Sequence, residues 1–595
     1  MGKLDATSVV NGPEDGLAGW DAVSWRAAEE NVRRLRQRIF TASQAGDLKR
    51  VRNLQKLMLR SRSNALVSVR RVTEVNAGRM TAGIDGEVAL TPEARGDLAG
   101  WVQRRAEPWA ARPVRRVYIP KRGSAGKRRP LGIPVIADRV LQAVVASALE
   151  PEWEARFEPR SYGFRPGRGC HDAIEAIFQA GKGGGGAAPR RSWVLDADLA
   201  AAFDRIGHDH LLRQLGTFPA RELIAGWLKA GVVEDGRFTP TGEGTPQGGV
   251  VSPALLNVAL HGMEHAAGVR YRHAGSDATA GAPGSPVLIR YADDLVAFCH
   301  TRQEAEQVKG RLAAWLAPRG LAFNEDKTRI VTLGEGFDFL GFNVRRYHGK
   351  LLIKPAKAAV KRIRERLRTE LRSLRGANAQ AVIARLNPII RGWAAYYRTV
   401  VSSHAFTALD HYLWKLTCKW AKHSHPNKPT RWIIRRYFGA FNRSRQDRWV
   451  FGDRDSGVYL LRFSWTKIVR HQMVRGTSSP DDPALTSYWA GRRRRGIPRP
   501  MDIASLRLLE AQHGRCPLCG DLLLNADRPP QSPREWEQWL TVTRKAVVRN
   551  AIVTHPDGTP DEATLRLLHA HCHRQYTRNS KSPALLPASE PTGLA

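Results

Sequence analysis

The chain has 595 residues, and 94 lysines and arginines against 56 acidic residues give it a formal net charge of +38. Such an excess creates a long-range positive field, so nucleic acid is the expected partner. The sequence has no apolar run of about eighteen residues and no signal-peptide core, so we expect no membrane partner and a cytoplasmic protein. Six cysteines in a chain of this length do not form a disulfide framework.

The N-terminal part of the chain is predicted to be helical. Apolar residues recur at helical spacing between residues 22 and 75, as Val32, Leu35 and Ile39 do, and many basic residues share these helices. From about residue 112 to residue 345, short strand-like runs alternate with helices, which predicts an α+β domain built on an antiparallel sheet.

A set of short motifs runs through this region in a fixed order. They are 81–86 (TAGIDG), 117–121 (VYIPK), 128–134 (RRPLGIP), 161–168 (SYGFRPGR), 192–199 (SWVLDADL), 245–253 (TPQGGVVSP), 291–294 (YADD), 320–328 (GLAFNEDKT) and 337–342 (FDFLGF). The ordered set resembles the reverse transcriptase encoded by bacterial group II introns. With the C-terminal motifs described below, the resemblance covers residues from about 20 to about 574.

The YADD motif lies between two apolar runs, so it is predicted to be a tight turn between two strands that presents Asp293 and Asp294. Two Mg²⁺ ions held by carboxylates can clamp the attacking and leaving oxygens of a phosphoryl transfer. The resemblance implies that Asp198 and Asp293 are the metal ligands and Asp294 is a third acid. Asp196 would face the same side of its strand and stays an alternative to Asp198. The family places an aromatic residue five positions after the ligand, and Phe203 favours Asp198.

Other motif residues are candidates for substrate binding. Phe203 could exclude a 2′-hydroxyl, or it could be a core residue, and Gln247 and Gly248 resemble the turn that lies against the nucleotide, where a glycine permits close backbone approach. By resemblance, Lys121 and Arg129 match the cations that contact the triphosphate, and the guanidinium of an arginine suits that task. Their basic neighbours Arg122, Lys127 and Arg128 stay alternatives. Lys327 resembles the general acid for leaving pyrophosphate, although a surface lysine is the alternative.

From residue 355 to about 440 the chain is predicted to be helical, with cations interleaved with aromatic residues. The aromatic residues can be core, with the cations on the outer face, and the resemblance implies a thumb and maturase region that binds intron RNA. The following basic stretch corresponds to a DNA-binding region. The candidate nucleic-acid contacts are Arg391, Trp393, Arg398, Arg435, Arg436, Arg492, Arg493 and Arg494.

Two pairs of candidate metal ligands lie near the C-terminus, and two residues separate the members of each pair. This spacing suits one structural Zn²⁺ ion with tetrahedral coordination. The proposed ligands are Cys516, Cys519, His569 and Cys572, and either His571 or His573 could replace one of them. The pattern resembles the HNH-type endonuclease domain of intron proteins, but the usual central His-His or Asp-His pair is missing between Cys519 and His569. His573 is the remaining nuclease candidate and His555 a second, so a zinc module that only binds DNA is an equal alternative.

The expected fold is a multidomain α+β protein, with right-hand polymerase fingers and palm, a helical thumb and maturase region, and a small zinc-bound HNH-like domain. The expected divisions are an N-terminal extension at 1–110, which contacts RNA or only supports the fold, fingers and palm at 111–345, thumb and maturase at 346–440, a basic DNA-binding region at 441–505, the zinc domain at 506–580 and a tail at 581–595.

The expected function is that of an RNA-directed DNA polymerase and splicing maturase of a mobile group II intron. Its partners would be intron RNA, target DNA and dNTPs. Its cofactors would be two Mg²⁺ ions and one Zn²⁺ ion. It would be located in the bacterial cytoplasm, in a ribonucleoprotein. Two other functions remain open. One is a reverse transcriptase recruited to host defence, which the aromatic and basic 393–438 region disfavours. The other is an RNA-binding maturase without polymerase activity, which the intact acidic residues disfavour.

Overall fold

A computed structural model of the protein describes residues 20–104, 109–120, 128–182, 190–271, 282–442, 445, 447–496, 511–512, 516–518, 552–557 and 564–569. Only the backbone is described for residues 21, 493–496, 552–557, 564–565 and 569. Among the described residues, no helix is both long enough and apolar enough to cross a bilayer.

The N-terminal region forms four helices, α1 (Trp25–Gln44), α2 (Leu48–Arg60), α3 (Arg62–Arg70) and α4 (Pro92–Arg104). A side chain caps the start of α2, because the Asp47 carboxylate accepts a hydrogen bond from the Arg50 N–H at 2.9 Å. The apolar stripes of α1 and α2 bury Ile39, Val51 and Met58 completely in a core that they share with helix α5 (Ile136–Glu154).

The fingers contain a four-stranded sheet with the order β2-β1-β5-β6. Strands β1 (Val114–Pro120) and β2 (Arg128–Ile133) are antiparallel. Strands β5 (Val232–Glu234) and β6 (Arg237–Thr239) continue the sheet, with β5 parallel to β1.

A five-stranded sheet with the order β3-β7-β8-β4-β9 forms the palm. Its strands are β3 (Ser161–Tyr162), β4 (Trp193–Asp198), β7 (Val287–Tyr291), β8 (Asp294–Cys299) and β9 (Arg329–Thr332). Alternate residues of the central strands enter two different cores, because successive side chains of a strand point to opposite faces. Leu195 and Leu295 belong to the core shared with α1, α2 and α5, whereas Val194 and Val296 belong to the core that continues into the thumb.

The palm helices cover this sheet and connect its strands. They are α6 (Cys170–Gly181), α7 (Ala202–Arg205), α8 (His208–Leu215), α9 (Arg221–Lys229), α10 (Ser252–Ala259), α11 (Met263–Ala266) and α12 (Arg302–Leu316).

The chain then leaves the palm through a three-stranded sheet and enters a helical region. The strands are β10 (Phe337–Phe339), β11 (Phe342–Tyr347) and β12 (Lys350–Pro355), and the helices are α13 (Lys357–Ser373), α14 (Ala379–Tyr397), α15 (Ser403–Ser424) and α16 (Thr430–Tyr437). Beyond them lie a two-stranded pair, β13 (Phe438–Gly439) and β14 (Val450–Phe451), helix α17 (Thr486–Gly496), and a hairpin of β15 (Ile552–Asp557) and β16 (Thr564–His569).

Candidate active site

The YADD motif forms the turn of the β7–β8 hairpin. Tyr291 pairs with Asp294, which leaves Ala292 and Asp293 as the turn residues. Ala292 has a φ of 57°, a left-handed conformation that residues with a side chain rarely adopt. The Ala292 N–H donates to the carbonyl oxygen of Tyr162 at 3.0 Å, so strand β3 holds the turn from outside the hairpin.

A buried arginine supports the same turn from below. The guanidinium of Arg290 donates to the Ala292 carbonyl oxygen at 3.0 Å, to Asn257 Oδ1 at 2.9 Å and to Ser161 Oγ at 2.5 Å. Burial lowers the pKa of Arg290 to about 10, so the group remains charged at neutral pH. A buried cation with several acceptors fixes the turn geometry and lies next to its carboxylates.

The sheet register places two acids opposite each other. Asp198, the last residue of β4, pairs with Asp294, the first residue of β8, and Asp293 is the adjacent turn residue. Asp196 pairs instead with Val296, and its Oδ2 accepts from Arg329 Nε at 3.1 Å. Asp198 is therefore the acid of this strand that the register aligns with the YADD carboxylates.

Burial and mutual repulsion raise the pKa values of the YADD acids. Burial is the largest cause for Asp294, and the charges of Asp293 and Asp198 add to it, which raises the pKa of Asp294 to about 7. Burial also raises the pKa of Asp293, with a further contribution from Asp198, while Arg129 and Lys327 act in the opposite direction. Crowded carboxylate oxygens of this kind form a donor set suited to hard divalent cations such as Mg²⁺.

Lysine 327 compensates part of this negative charge. Its ammonium group donates to Asp198 Oδ2 and forms an ion pair with it, and about half of the lysine side chain is exposed. Among the described residues, no three histidine, cysteine or acidic side chains are preassembled around a common metal position. At this site Asp198 is paired with Lys327 instead.

The 245–248 turn lies against the fingers, close to the acids. Arg129 Nε donates to Gln247 Oε1 at 2.8 Å, and the Gly132 N–H donates to the Gln247 carbonyl oxygen at 2.6 Å. Gly248 has a φ of 123°, and a Cβ added there would lie 2.4 Å from the Gly132 carbonyl oxygen. Glycine is therefore required for the turn to contact strand β2. The fold therefore brings together Arg129, Gln247 and Gly248, three of the residues predicted to bind substrate.

Phe203 lies on α7, five residues after Asp198, and contacts a half-exposed aromatic ring. Its side chain is buried, and its carbonyl oxygen accepts from the Thr245 N–H at 2.6 Å. The ring of Phe164, which is half exposed, meets it edge-on with 6.0 Å between the ring centroids. The Phe203 ring is thus held by packing, and the Phe203 backbone is bonded to the 245–248 turn.

The predicted nucleic-acid residues have different surroundings. Trp393 packs on Tyr397, with 4.4 Å between the ring centroids, and on Phe406 and Phe463, which is core packing. Arg492 Nη2 donates to the buried Asp172 at 2.8 Å and so makes an internal ion pair. The remaining predicted contacts that the structure describes are Arg391 and Arg398, which are half-buried, Arg435, which is exposed, and Arg436, which pairs with Asp455 at 2.7 Å.

Several predicted residues lie outside the described part of the chain. They are Lys121, Cys519, Cys572 and His573, together with the side chains of Arg493, Arg494 and His569. Cys516 is described and is buried. The neighbouring Gln512 exchanges two hydrogen bonds with the backbone of Leu567 on β16, at 2.8 and 3.0 Å. The zinc ligand set and the nuclease candidate stay predictions.

Three family models match the chain. A model of the N-terminal domain of reverse transcriptase matches residues 20–101, a model of reverse transcriptase (RNA-dependent DNA polymerase) matches residues 119–344, and a model of the group II intron maturase-specific domain matches residues 360–438. Protein YkfC of Escherichia coli is 34% identical over 312 residues, which cover 47% of this chain and 80% of YkfC.

The chain belongs to the group II intron reverse transcriptase and maturase family. The intron-encoded protein LtrA of Lactococcus lactis is 40% identical over 156 residues, 26% of this chain and 25% of LtrA. Maturase-like protein 1 of Euglena gracilis is 24% identical over 404 residues, 65% of this chain and 81% of that protein. This reverse transcriptase is an RNA-directed DNA polymerase, as predicted, with the α/β reverse transcriptase fold and a helical region after it.

Sequence reasoning overlooked Arg290. The signal was present, because a single arginine interrupts the apolar residues Val287, Leu288 and Ile289 directly before the YADD motif. A charged residue in a strand that is otherwise apolar is expected to be buried with partners. Tyr162 carried no such signal, since a tyrosine in a short strand is ordinary.

We predict that, in the absence of divalent cations, Asp294→Asn raises the free energy of unfolding of the protein. Because the folded pKa of about 7 exceeds the ordinary value of 3.8, the folded state holds a proton that the unfolded state releases, and stability is lost as the pH rises through this window. The variant should gain on the order of 4 kcal/mol at pH 8, because each tenfold difference in proton affinity between the folded and unfolded states corresponds to about 1.4 kcal/mol, and it should gain less at pH 5, measured by thermal unfolding in EDTA. Asp209→Asn, at an exposed position on α8, is the control. An equal gain at both pH values would contradict the electrostatic cause.

Proposed function

We propose that this reverse transcriptase binds the RNA of its own group II intron, assists its splicing and copies it into DNA at a target site. The observation that carries the polymerase part is the register that sets Asp198 against Asp294 beside the Asp293 turn. These three carboxylates would hold two Mg²⁺ ions. When bound, such ions lower the pKa of the primer 3′-hydroxyl and neutralise charge on the leaving pyrophosphate.

The residues around the acids would each make one contribution. Arg129, which donates to Gln247, offers its remaining N–H groups to the triphosphate. Lys327 would release Asp198 when metal binds and could then donate a proton to pyrophosphate. Phe203, held against Phe164, would exclude the 2′-hydroxyl of a ribonucleotide.

The RNA-binding part of the proposal is supported by a basic groove between α13 and α15. The groove has a volume of about 920 Å³, and cations from both helices and from the turn after α13 line it: Lys357, Lys361, Arg364, Arg368, Arg372, Arg375 and Lys419. The cations of α13 recur at three- and four-residue intervals and so follow one face of the helix. A line of cations on a helix attracts a phosphate backbone without reading its sequence. This groove lies within the region that matches the maturase-specific domain.

We also propose that residues 506–580 form a module around one structural Zn²⁺ ion, held by Cys516, Cys519, His569 and Cys572. The two-residue spacing within each pair of ligands supports it. Binding of target DNA would belong to this module and to the basic stretch before it. DNA cleavage is not part of this proposal, because the usual central His-His or Asp-His pair of HNH nucleases is missing between Cys519 and His569.

We expect Asp293→Asn to abolish DNA synthesis while RNA binding is retained. Loss of a metal ligand should lower kcat by at least about a thousandfold, measured by primer extension on an RNA template with dNTPs and Mg²⁺. Asp209→Asn should extend primers normally. The same Asp293→Asn protein should bind intron RNA with unchanged affinity and still promote splicing, because the groove of α13 and α15 is separate from the turn. Normal extension by Asp293→Asn would refute the metal site.

Phe203→Ala should increase the use of ribonucleotides. Removal of the ring takes away the steric barrier, so the ratio of kcat/KM for rNTP to that for dNTP should rise about 10- to 100-fold. Phe203→Tyr keeps the ring and should retain the wild-type ratio. An unchanged ratio in a folded Phe203→Ala protein would show that Phe203 is only a core residue.

The zinc proposal predicts one Zn²⁺ per chain in the purified protein, measured by elemental mass spectrometry. Cys516→Ser should lose the ion, whereas Cys418→Ser, on α15, should retain it. A wild-type protein free of zinc when purified without chelators would remove this part of the proposal.

A further inference from the structure

Residues 469–492 pack behind the palm, although the sequence assigns them to a DNA-binding region. This 469–492 segment begins where the Val469 N–H donates to the Arg398 carbonyl oxygen at 2.9 Å, at the end of α14. It buries Val474, Ser479 and Trp489 almost completely. Burial of this kind is expected for an integral part of a domain and not for a solvated linker.

The segment is bound first to the 161–168 loop, which precedes α6. The buried guanidinium of Arg168 donates to the carbonyl oxygens of Gly476 at 2.6 Å and Ser478 at 3.1 Å. The indole of Trp489 covers Gly167, and its Nε1 donates to the Ser479 carbonyl oxygen at 2.8 Å. Gly167 has a φ of 72°, and a Cβ there would lie 2.6 Å from the Trp489 ring, so the fit leaves no space.

A buried aspartate makes a second connection. Asp172, in the first turn of α6, accepts hydrogen bonds through Oδ1 from the Val474 N–H at 2.9 Å and Arg492 Nη2 at 2.8 Å. The ring of His471 lies 2.9 Å from the same oxygen through Nε2. Burial opposes the charge of Asp172, but the hydrogen bonds and the charge of His471 outweigh it and lower its pKa. A buried carboxylate with this many partners fixes the position of both ends of the segment.

The other face of the same loop holds the catalytic turn. Ser161 and Tyr162 form β3, which pairs with Arg290 and Tyr291 on β7. The Tyr162 carbonyl oxygen accepts from the Ala292 N–H at 3.0 Å, while its hydroxyl lies 3.4 Å from the sulfur of Met473 in the segment. One residue therefore contacts the YADD turn with its backbone and the 469–492 segment with its side chain.

The N-terminal helix makes the last connection. Arg36 on α1 makes two hydrogen bonds to Asp481, both at 2.8 Å, and one to Glu150 on α5 at 3.0 Å. This network is largely buried. The segment thus spans from the thumb across the palm to α1.

We propose that the 469–492 segment is a positioning element of the polymerase. It fixes the 161–168 loop from behind, and the loop in turn fixes Ala292 and the Asp293 turn through Tyr162. The inference rests on the proposed catalytic role of that turn. In this role the residues of the segment act on the reaction through other residues.

The test uses Gly167→Ala in the full-length chain. The new methyl group displaces the Trp489 ring but touches no residue of the active site. We expect kcat for primer extension to fall about ten- to a hundredfold, with the KM for dNTP unchanged, because the turn is misplaced while the nucleotide contacts remain. Amide hydrogen exchange in peptides that span residues 287–299 should become faster, since the bond from Ala292 to Tyr162 is weakened.

Gly46→Ala is the matched control. Gly46 has a φ of 73°, nearly that of Gly167, but nothing lies within 4 Å of an added Cβ. It therefore carries the same backbone cost without displacing a neighbour, and its kcat and exchange should equal those of the wild type. Trp489→Ala should reproduce the Gly167→Ala defect, and the double variant should be no worse than Trp489→Ala alone, because the clash needs the ring.

The outcomes separate the two proposals. Wild-type kcat and exchange in Gly167→Ala, while Asp293→Asn is inactive, would overturn the positioning role and leave the catalytic site intact. The positioning role would also be overturned if the loss of kcat in the double variant equalled the combined losses of Gly167→Ala and Trp489→Ala. Synthesis by Asp293→Asn would instead overturn the proposed catalytic site, whatever the effect of Gly167→Ala on exchange.

Discussion

The structure of the palm depends on holding like charges together at the ends of two paired strands. Asp198 and Asp294 are opposite each other in the β4–β8 register, and directly opposed like charges weaken a sheet. The apolar residues of the same strands compensate, because they enter cores on both faces of the sheet. A shift of one residue would send every one of these side chains to the wrong face, so the cores specify the register that brings the acids together.

Cations around the acids reduce the remaining repulsion in different ways. Arg290 is buried and bonded to the turn backbone, so its charge is fixed beneath the carboxylates. Lys327 is half exposed and paired with Asp198, so it can move when another cation binds. Arg329 is paired with Asp196. A permanent cation below the turn and an exchangeable one at its open side fit the proposed uptake of metal and release of pyrophosphate at this site.

Local sequence patterns predicted the parts of this site that depend on neighbouring residues in the chain, such as the YADD turn. The apolar runs on both sides of YADD define two strands, and a tight turn between them follows, as the structure has it. Gly248 could be expected to allow close backbone approach, and its φ and its contact with Gly132 explain why. The aromatic residue Trp393 had two interpretations, and its packing on Tyr397 favours the core.

Contacts between distant residues could not be predicted in this way. Asp172 looks in the sequence like an ordinary acid at the start of a helix, where acids are common. Its partners His471 and Arg492 lie about 300 positions away along the chain. Arg492 stands in a run of four arginines that is typical of a solvated or phosphate-binding segment. Only the folded chain shows that it meets a buried carboxylate.

Arg36 and Asp481 are 445 positions apart, and their pairing bears on how the enzyme is made. A chain that ended after the maturase-specific domain would leave Arg36 without Asp481 and Arg168 without two of its backbone acceptors. Arg36 would keep its bond to Glu150 but lose both bonds to Asp481, and loss of one partner from a buried ion pair is destabilising. A growing polypeptide would thus complete these palm contacts only after residue 481 has emerged from the ribosome. The polymerase region would therefore reach its final structure later than the maturase-specific domain, although it comes first in the chain.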